Sequence, residues 1–128
     1  MHSSRVCRAL VLLYLIAFAH PALAQEGDRA LGETVFRKCL ACHRIDTPDN
    51  LTGPNLQHII GRPAGAVKEY KYSPAMQAKA AEGWIWTEDN LKAYLAEPQH
   101  VVPGTKMAFP GLKKPEELSN LIAFLKTK

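Results

Sequence analysis

In Cys39-Leu40-Ala41-Cys42-His43 two thiols stand three positions apart, with a histidine directly after the second. That spacing is the attachment signature of a c-type haem. Positions i and i+3 of a helical turn share a face, so both sulfurs can reach one edge of a porphyrin and add across its two vinyl groups. His43, one residue on, can turn its imidazole under the macrocycle toward the iron. A redox dithiol or half of a zinc site are the competing readings, and neither needs that histidine. A zinc site would also want a second ligand pair, and the one other cysteine, Cys7, lies far upstream.

The beginning of the chain says where such chemistry takes place. Arg5 and Arg8 precede an apolar stretch at 9–19, which leads to the small-x-small site Ala22-Leu23-Ala24 and then to polar Gln25-Glu26-Gly27-Asp28. This is the pattern of a secretory signal peptide, so 1–24 are expected to be cleaved and 25–128 to form one domain. The apolar stretch falls short of the roughly 20 residues that span a bilayer, which argues against stable membrane insertion. Cys7 stands before that stretch, where a lipid-bearing cysteine would follow it, and is expected to leave with the leader. Export agrees with haem attachment, because thioether formation needs reduced thiols delivered across a membrane. The bacterial periplasm is the expected compartment.

The full chain carries a formal charge of +4, and Arg5 and Arg8 account for two of those charges. So mild a balance does not suggest nucleic acid as a partner. A domain of this size buries a limited apolar core, to which a covalently fixed haem would add a large part.

Period-two runs of β-branched residues are missing from 25–128, whereas helix signals recur, so the expected class is all-α. Leu31, Val35 and Phe36 give the segment from about Asp28 to Lys38 an apolar stripe leading into the cysteine motif. Ser73-Pro74 caps a helix running to about Glu82, which Gly83 can end. Thr87 can cap a helix from Glu88 to Ala96, with Glu88 and Asp89 near its amino end and Pro98 as its stop. Pro115-Glu116-Glu117 opens a last helix in which Leu118, Leu121, Ile122 and Leu125 form one stripe with Phe124 at its edge. Between the helices lie the loops Thr52-Gly53-Pro54-Asn55-Leu56, Gly61-Arg62-Pro63-Ala64-Gly65 and Val102-Pro103-Gly104-Thr105. Loops so rich in glycine and proline make sense wrapped around a rigid cofactor.

Whether the protein fills the second axial position of the iron separates a carrier from a catalyst. Met76, Met107, His58 and His100 are the candidates. Met107 ends the stiffened loop Pro103-Gly104-Thr105-Lys106-Met107, from which a thioether can be presented without helix crowding. Met76 falls in an expected helix and reads as core filler.

On these residues the chain resembles a small soluble class I cytochrome c of the mitochondrial and bacterial type, over essentially all of 25–128. The resemblance implies short helices and loops around one covalently attached haem, with the first and last helices crossing. Position by position, it makes Cys39 and Cys42 the thioether cysteines, His43 the proximal ligand and Met107 the distal one. Pro54 resembles the proline whose carbonyl holds the histidine ring, a contact that fixes the tautomer and strengthens the nitrogen as a donor. Arg62, Tyr72, Trp86 and Thr105 resemble the set that meets the haem propionates, and Tyr94 the tyrosine whose hydroxyl approaches the methionine sulfur. Gly32 and Phe36, with Leu121 and Phe124, resemble the helix-crossing set.

Two departures stand out. Met76 occupies a place where mitochondrial relatives carry a buried polar residue, and Gln99 and His100 replace lysines of their docking ring. Lys38, Lys106, Lys113 and Lys114 remain near the haem edge, where they read equally as guidance for a partner and as an ordinary solvated face.

The implied function is outer-sphere electron transfer by a monomer without a catalytic residue. Redox proteins are the partners: a quinol-oxidising complex or periplasmic dehydrogenase as donor, a terminal oxidase or reductase as acceptor. A dedicated haem subunit of a periplasmic dehydrogenase is the alternative, and a haem peroxidase or gas-binding protein the next. The last would need an open iron site.

Overall fold

Asp28 starts the first helix: its Oδ1 accepts the Leu31 N–H at 2.8 Å and satisfies one of the free donors of the first turn. The computed structural model describes residues 26–128, so the expected leader, its cleavage site and Cys7 lie outside the described residues. Helix α1 covers Arg29–Phe36 and tightens into a 3-10 turn at Arg37–Cys39. The winding continues through the motif, since Cys42 N and His43 N both donate to Cys39 O, at 3.1 and 3.0 Å. Cys39 and Cys42 therefore sit one turn apart, as their spacing requires.

Helix α2 covers Pro74–Ala81, with Ser73 Oγ accepting from Met76 N at 3.1 Å and Pro74 in the first turn. Gly83, at φ 77°, takes the left-handed conformation that ends it. Helix α3 covers Glu88–Ala96, capped by Thr87 Oγ1 on Asn90 N at 3.1 Å. The expected stop at Pro98 holds for α3, but the chain winds again at once into the short helix α4, Pro98–Val101. Helix α5 covers Pro115–Leu125 and buries Leu121, Ile122, Phe124 and Leu125, the stripe read from its sequence. Leu118 of that stripe is half-buried.

Helices α1 and α5 cross at Gly32. A Cβ there would stand 1.9 Å from Asn120 O and 2.8 Å from Phe124 Cβ, so the crossing needs a residue without a side chain. Phe36 and Phe124 meet beside it with ring centroids 5.3 Å apart. Asp28 N donates to Asn120 Oδ1 at 2.7 Å and ties the start of α1 to α5.

Among the described residues the only bridge of β type is isolated, Pro63 against Ile85, and no helix is long and apolar enough to cross a membrane. Around that bridge Gly61 N donates to Trp86 O at 2.8 Å, Trp86 N to Arg62 O at 2.9 Å and Ala64 N to Trp84 O at 2.8 Å. These bonds staple two loops into one wall of a central cavity.

Candidate metal centre

The cavity has a volume of about 270 Å3 and mostly apolar walls, with Val35, Leu91, Leu95, Leu112 and Leu125 among them. Every residue singled out from the sequence as a site residue borders it: Cys39, Cys42, His43, Pro54, Arg62, Tyr72, Trp86, Tyr94, Thr105 and Met107. The other candidates for the second axial position part company here. Met76 is buried and borders the same cavity, so it is core and pocket wall at once. His58 turns outward, its Nδ1 3.0 Å from Lys128 O, and exposed His100 borders a separate groove beside α5.

His43 is held by two neighbours. Its Nδ1 lies 2.7 Å from Pro54 O, a carbonyl that can only accept, so Nδ1 carries the proton and Nε2 keeps a free lone pair. A Cβ on Gly53 would lie 2.3 Å from Cε1 and 2.8 Å from Nε2, so the backbone passes directly along the ring. Burial, opposed by the Pro54 hydrogen bond and aided by the Arg62 charge, lowers the His43 pKa. The ring is thereby kept neutral, the form that can bind a metal.

Burial pushes the Cys39 thiol up to about 11, against a smaller opposing effect of Lys38. Cys39 is therefore a protonated thiol in the unmodified chain, a state unlike the low-pKa thiolate of a redox dithiol. Among the described residues no three His, Cys, Asp or Glu side chains gather as metal ligands, which leaves the zinc reading without a site.

Arg62 is half-buried, with one terminal nitrogen 2.8 Å from Asn55 O and the other 3.0 Å from Gln57 O. Its Nε is buried without a partner, a donor that an anionic group in the cavity would satisfy. Tyr72 is occupied locally, its hydroxyl accepting from Val67 N at 3.2 Å. Trp86 packs on Tyr94 with centroids 5.1 Å apart. The Tyr94 hydroxyl lies 2.6 Å from Thr105 Oγ1, which also accepts from Met107 N at 3.4 Å. The three residues thus form one linked group on the Met107 side.

Two thiols at one edge, an imidazole with a free Nε2, a thioether, an unsatisfied buried guanidinium nitrogen and apolar walls fit a covalently held haem. Three of the four lysines noted near the haem edge are held by local contacts, and Lys114 is exposed. Lys38 pairs with Glu117 at 3.0 Å, Lys113 donates to Ala96 O at 2.9 Å, and Lys106 donates to Lys71 O while lying 4.9 Å from the centre of the Tyr70 ring. Sequence reading passed over Tyr70, which borders the cavity and bonds Thr52 O at 2.7 Å, and Asn50, whose amide braces the Pro54 loop. Neither lies in a motif; contacts between distant loops reveal them.

The family model described as Cytochrome c matches residues 29–128. A cytochrome c2 of Agrobacterium tumefaciens (strain II Chrys) is 50% identical over 101 residues, covering 78% of this chain and 91% of its own. Among solved structures, cytochrome cH from Methylobacterium extorquens is similar with a TM-score of 0.73 and 42% identity, over 80% of this chain and 100% of that one. Cytochrome c2 from Rhodospirillum centenum is similar with a TM-score of 0.73 and 38% identity, over 79% and 98%. The helical fold and the haem-attachment site define a small monohaem electron-transfer protein. The chain belongs to the cytochrome c family, as a class I member, and carries one haem c on Cys39 and Cys42.

Proposed function

We propose that this chain is a diffusible periplasmic electron carrier whose iron is closed by His43 and Met107. The observation that carries the reading is a single cavity bordered by the thiol pair, by His43 with its Nδ1 fixed on Pro54, and by Met107 on a stiff loop. Bound there, the haem supplies a metal centre that takes up and releases one electron at a time.

With haem bound, the protein's part would be to hold the His43 and Met107 donors in place through the change of charge. His43 cannot rotate away, because Pro54 O fixes Nδ1 and Gly53 lies along the ring. Met107 is presented by the loop that follows Val102, itself 1% exposed, and its neighbours Thr105 and Tyr94 are bonded to each other. The thioether is a soft neutral donor that favours the ferrous state, and the apolar walls add to that preference by disfavouring the extra ferric charge. Filling both positions also keeps oxygen and peroxide from the iron, which favours carrier over catalyst. Arg62, with Tyr72, Trp86 and Thr105 on the same cavity, would meet the propionates. The signal-peptide pattern read in the sequence of 1–24 supports the periplasm, where a quinol-oxidising complex or dehydrogenase would reduce the protein and a terminal oxidase or reductase oxidise it.

Replacement of Met107 by alanine tests the reading. The variant should lose the sulfur-to-iron absorption band of the oxidised protein and show a lower potential, while Met76→Ala should keep the band. A Met107→Ala protein with band and potential unchanged would remove Met107 as the ligand.

A further inference from the structure

Asn50 closes the loop between the attachment motif and the proline that holds the histidine. Pro54 O and Asn55 N belong to the same planar amide. At one end of that amide Pro54 O accepts from His43 Nδ1 at 2.7 Å; at the other, Asn55 N donates to Asn50 Oδ1 at 2.8 Å. Asn55 Nδ2 donates to the same Asn50 oxygen at 3.2 Å and to Pro48 O at 3.1 Å. Two donors converging on one atom fix which end of the Asn50 amide faces inward. Asn55 is buried, and Arg62 bonds its carbonyl at 2.8 Å, so the next peptide is held as well.

Hydrogen bonds in series polarise one another, by something on the order of 10–30% per bond. A bond accepted from Asn55 N–H draws electron density through the amide onto Pro54 O, which then pulls harder on the His43 Nδ1 proton. The imidazole gains imidazolate character and Nε2 becomes a stronger donor, which favours ferric over ferrous iron. We infer that Asn50 is a positioning residue that sets the donor strength of His43 through the Pro54–Asn55 amide and lowers the reduction potential of the centre. This rests on the reading of His43 as an iron ligand, and works against the potential-raising effect of Met107.

The test is carried out on the haem-bearing protein, by potentiometric titration and by proton NMR of the reduced, diamagnetic form. The His43 Nδ1–H resonance reports the strength of the bond to Pro54. Asn50→Ala should raise the potential and move that resonance upfield, while Asn50→Asp, which keeps an acceptor, should leave it at or downfield of its native position. Thr47→Ala, which removes the 2.8 Å bond to Asp49 in the same loop, is the control for loosening alone and should move neither quantity. If Asn50→Ala fails to fold, an upfield move in Asn50→Asp overturns the inference and a downfield one supports it. Unchanged potential and resonance in a folded Asn50→Ala protein would reduce Asn50 to a loop brace. A native protein with no low-spin spectrum or no Nδ1–H resonance would instead overturn the ligand reading itself.

Discussion

A methyl group at position 53 would stand 2.3 Å from Cε1 of His43, closer than any non-bonded carbon pair tolerates. Gly53→Ala must therefore push the ring off Pro54 O or shift the loop. It should cost about 1–3 kcal/mol in denaturant unfolding and weaken the low-spin spectrum. Acid acts on the same ring. Before haem attachment, the buried His43 has a native pKa below 6.5, so the unfolded chain binds the extra proton first. The contribution of this one ring to the stability of the unmodified chain is full above pH 6.5 and is lost as pH falls through 6.5 toward the lowered native value, which a pH series of urea melts would show as a falling midpoint. At this scale the attachment motif was legible because its chemistry demands contiguous residues. Asn50 was not, since its acceptor is aimed at a backbone amide five residues on and no residue pattern announces such a contact.

Caps and an apolar stripe shared the reading of the elements. Ser73 and Thr87 each accept a backbone N–H three residues on, which is why the starts of α2 and α3 could be placed from sequence, whereas α1 was placed by its apolar stripe and its Asp28 cap came from the structure. Helix α4 escaped because Pro98 was taken only as a stop. A proline ends one helix by lacking an N–H and suits the first turn of the next for the same reason. The crossing of α1 and α5 follows from Gly32, whose missing side chain admits the Asn120 carbonyl. Gly32→Val would set branched carbon against backbone that cannot yield. The expected loss is about 3 kcal/mol or more, read as a lowered urea midpoint for the haem protein. Asn120→Ala removes only the acceptor for Asp28 N and should cost about 1 kcal/mol.

For the whole molecule, the bearing of surface charge on partner docking is where the structure most changes the sequence-based expectation. Lys38 is paired with Glu117, Lys106 and Lys113 are bonded to backbone carbonyls, and apolar Leu40 and Leu51 are 44% and 39% exposed near the attachment motif. A bond to a neutral carbonyl leaves a lysine cationic, so only the Lys38–Glu117 pair offsets a charge and a modest positive field remains: raising salt ought to slow electron exchange with an acidic redox protein, by less than about tenfold in stopped-flow measurements. The all-helical class was readable from the helix signals, and the ten expected site residues that border one cavity were readable from the attachment motif, the Met107 loop and the family resemblance. The pairing of the lysines was not, as it depends on where α5 and the Tyr70 loop come to rest. On the proposed reading, closure of the iron by His43 and Met107 would make this molecule a carrier, and addition of carbon monoxide to the reduced protein at neutral pH tests that closure most directly. An unchanged visible spectrum is the predicted result; a carbon monoxide complex forming at once in the native protein would contradict it.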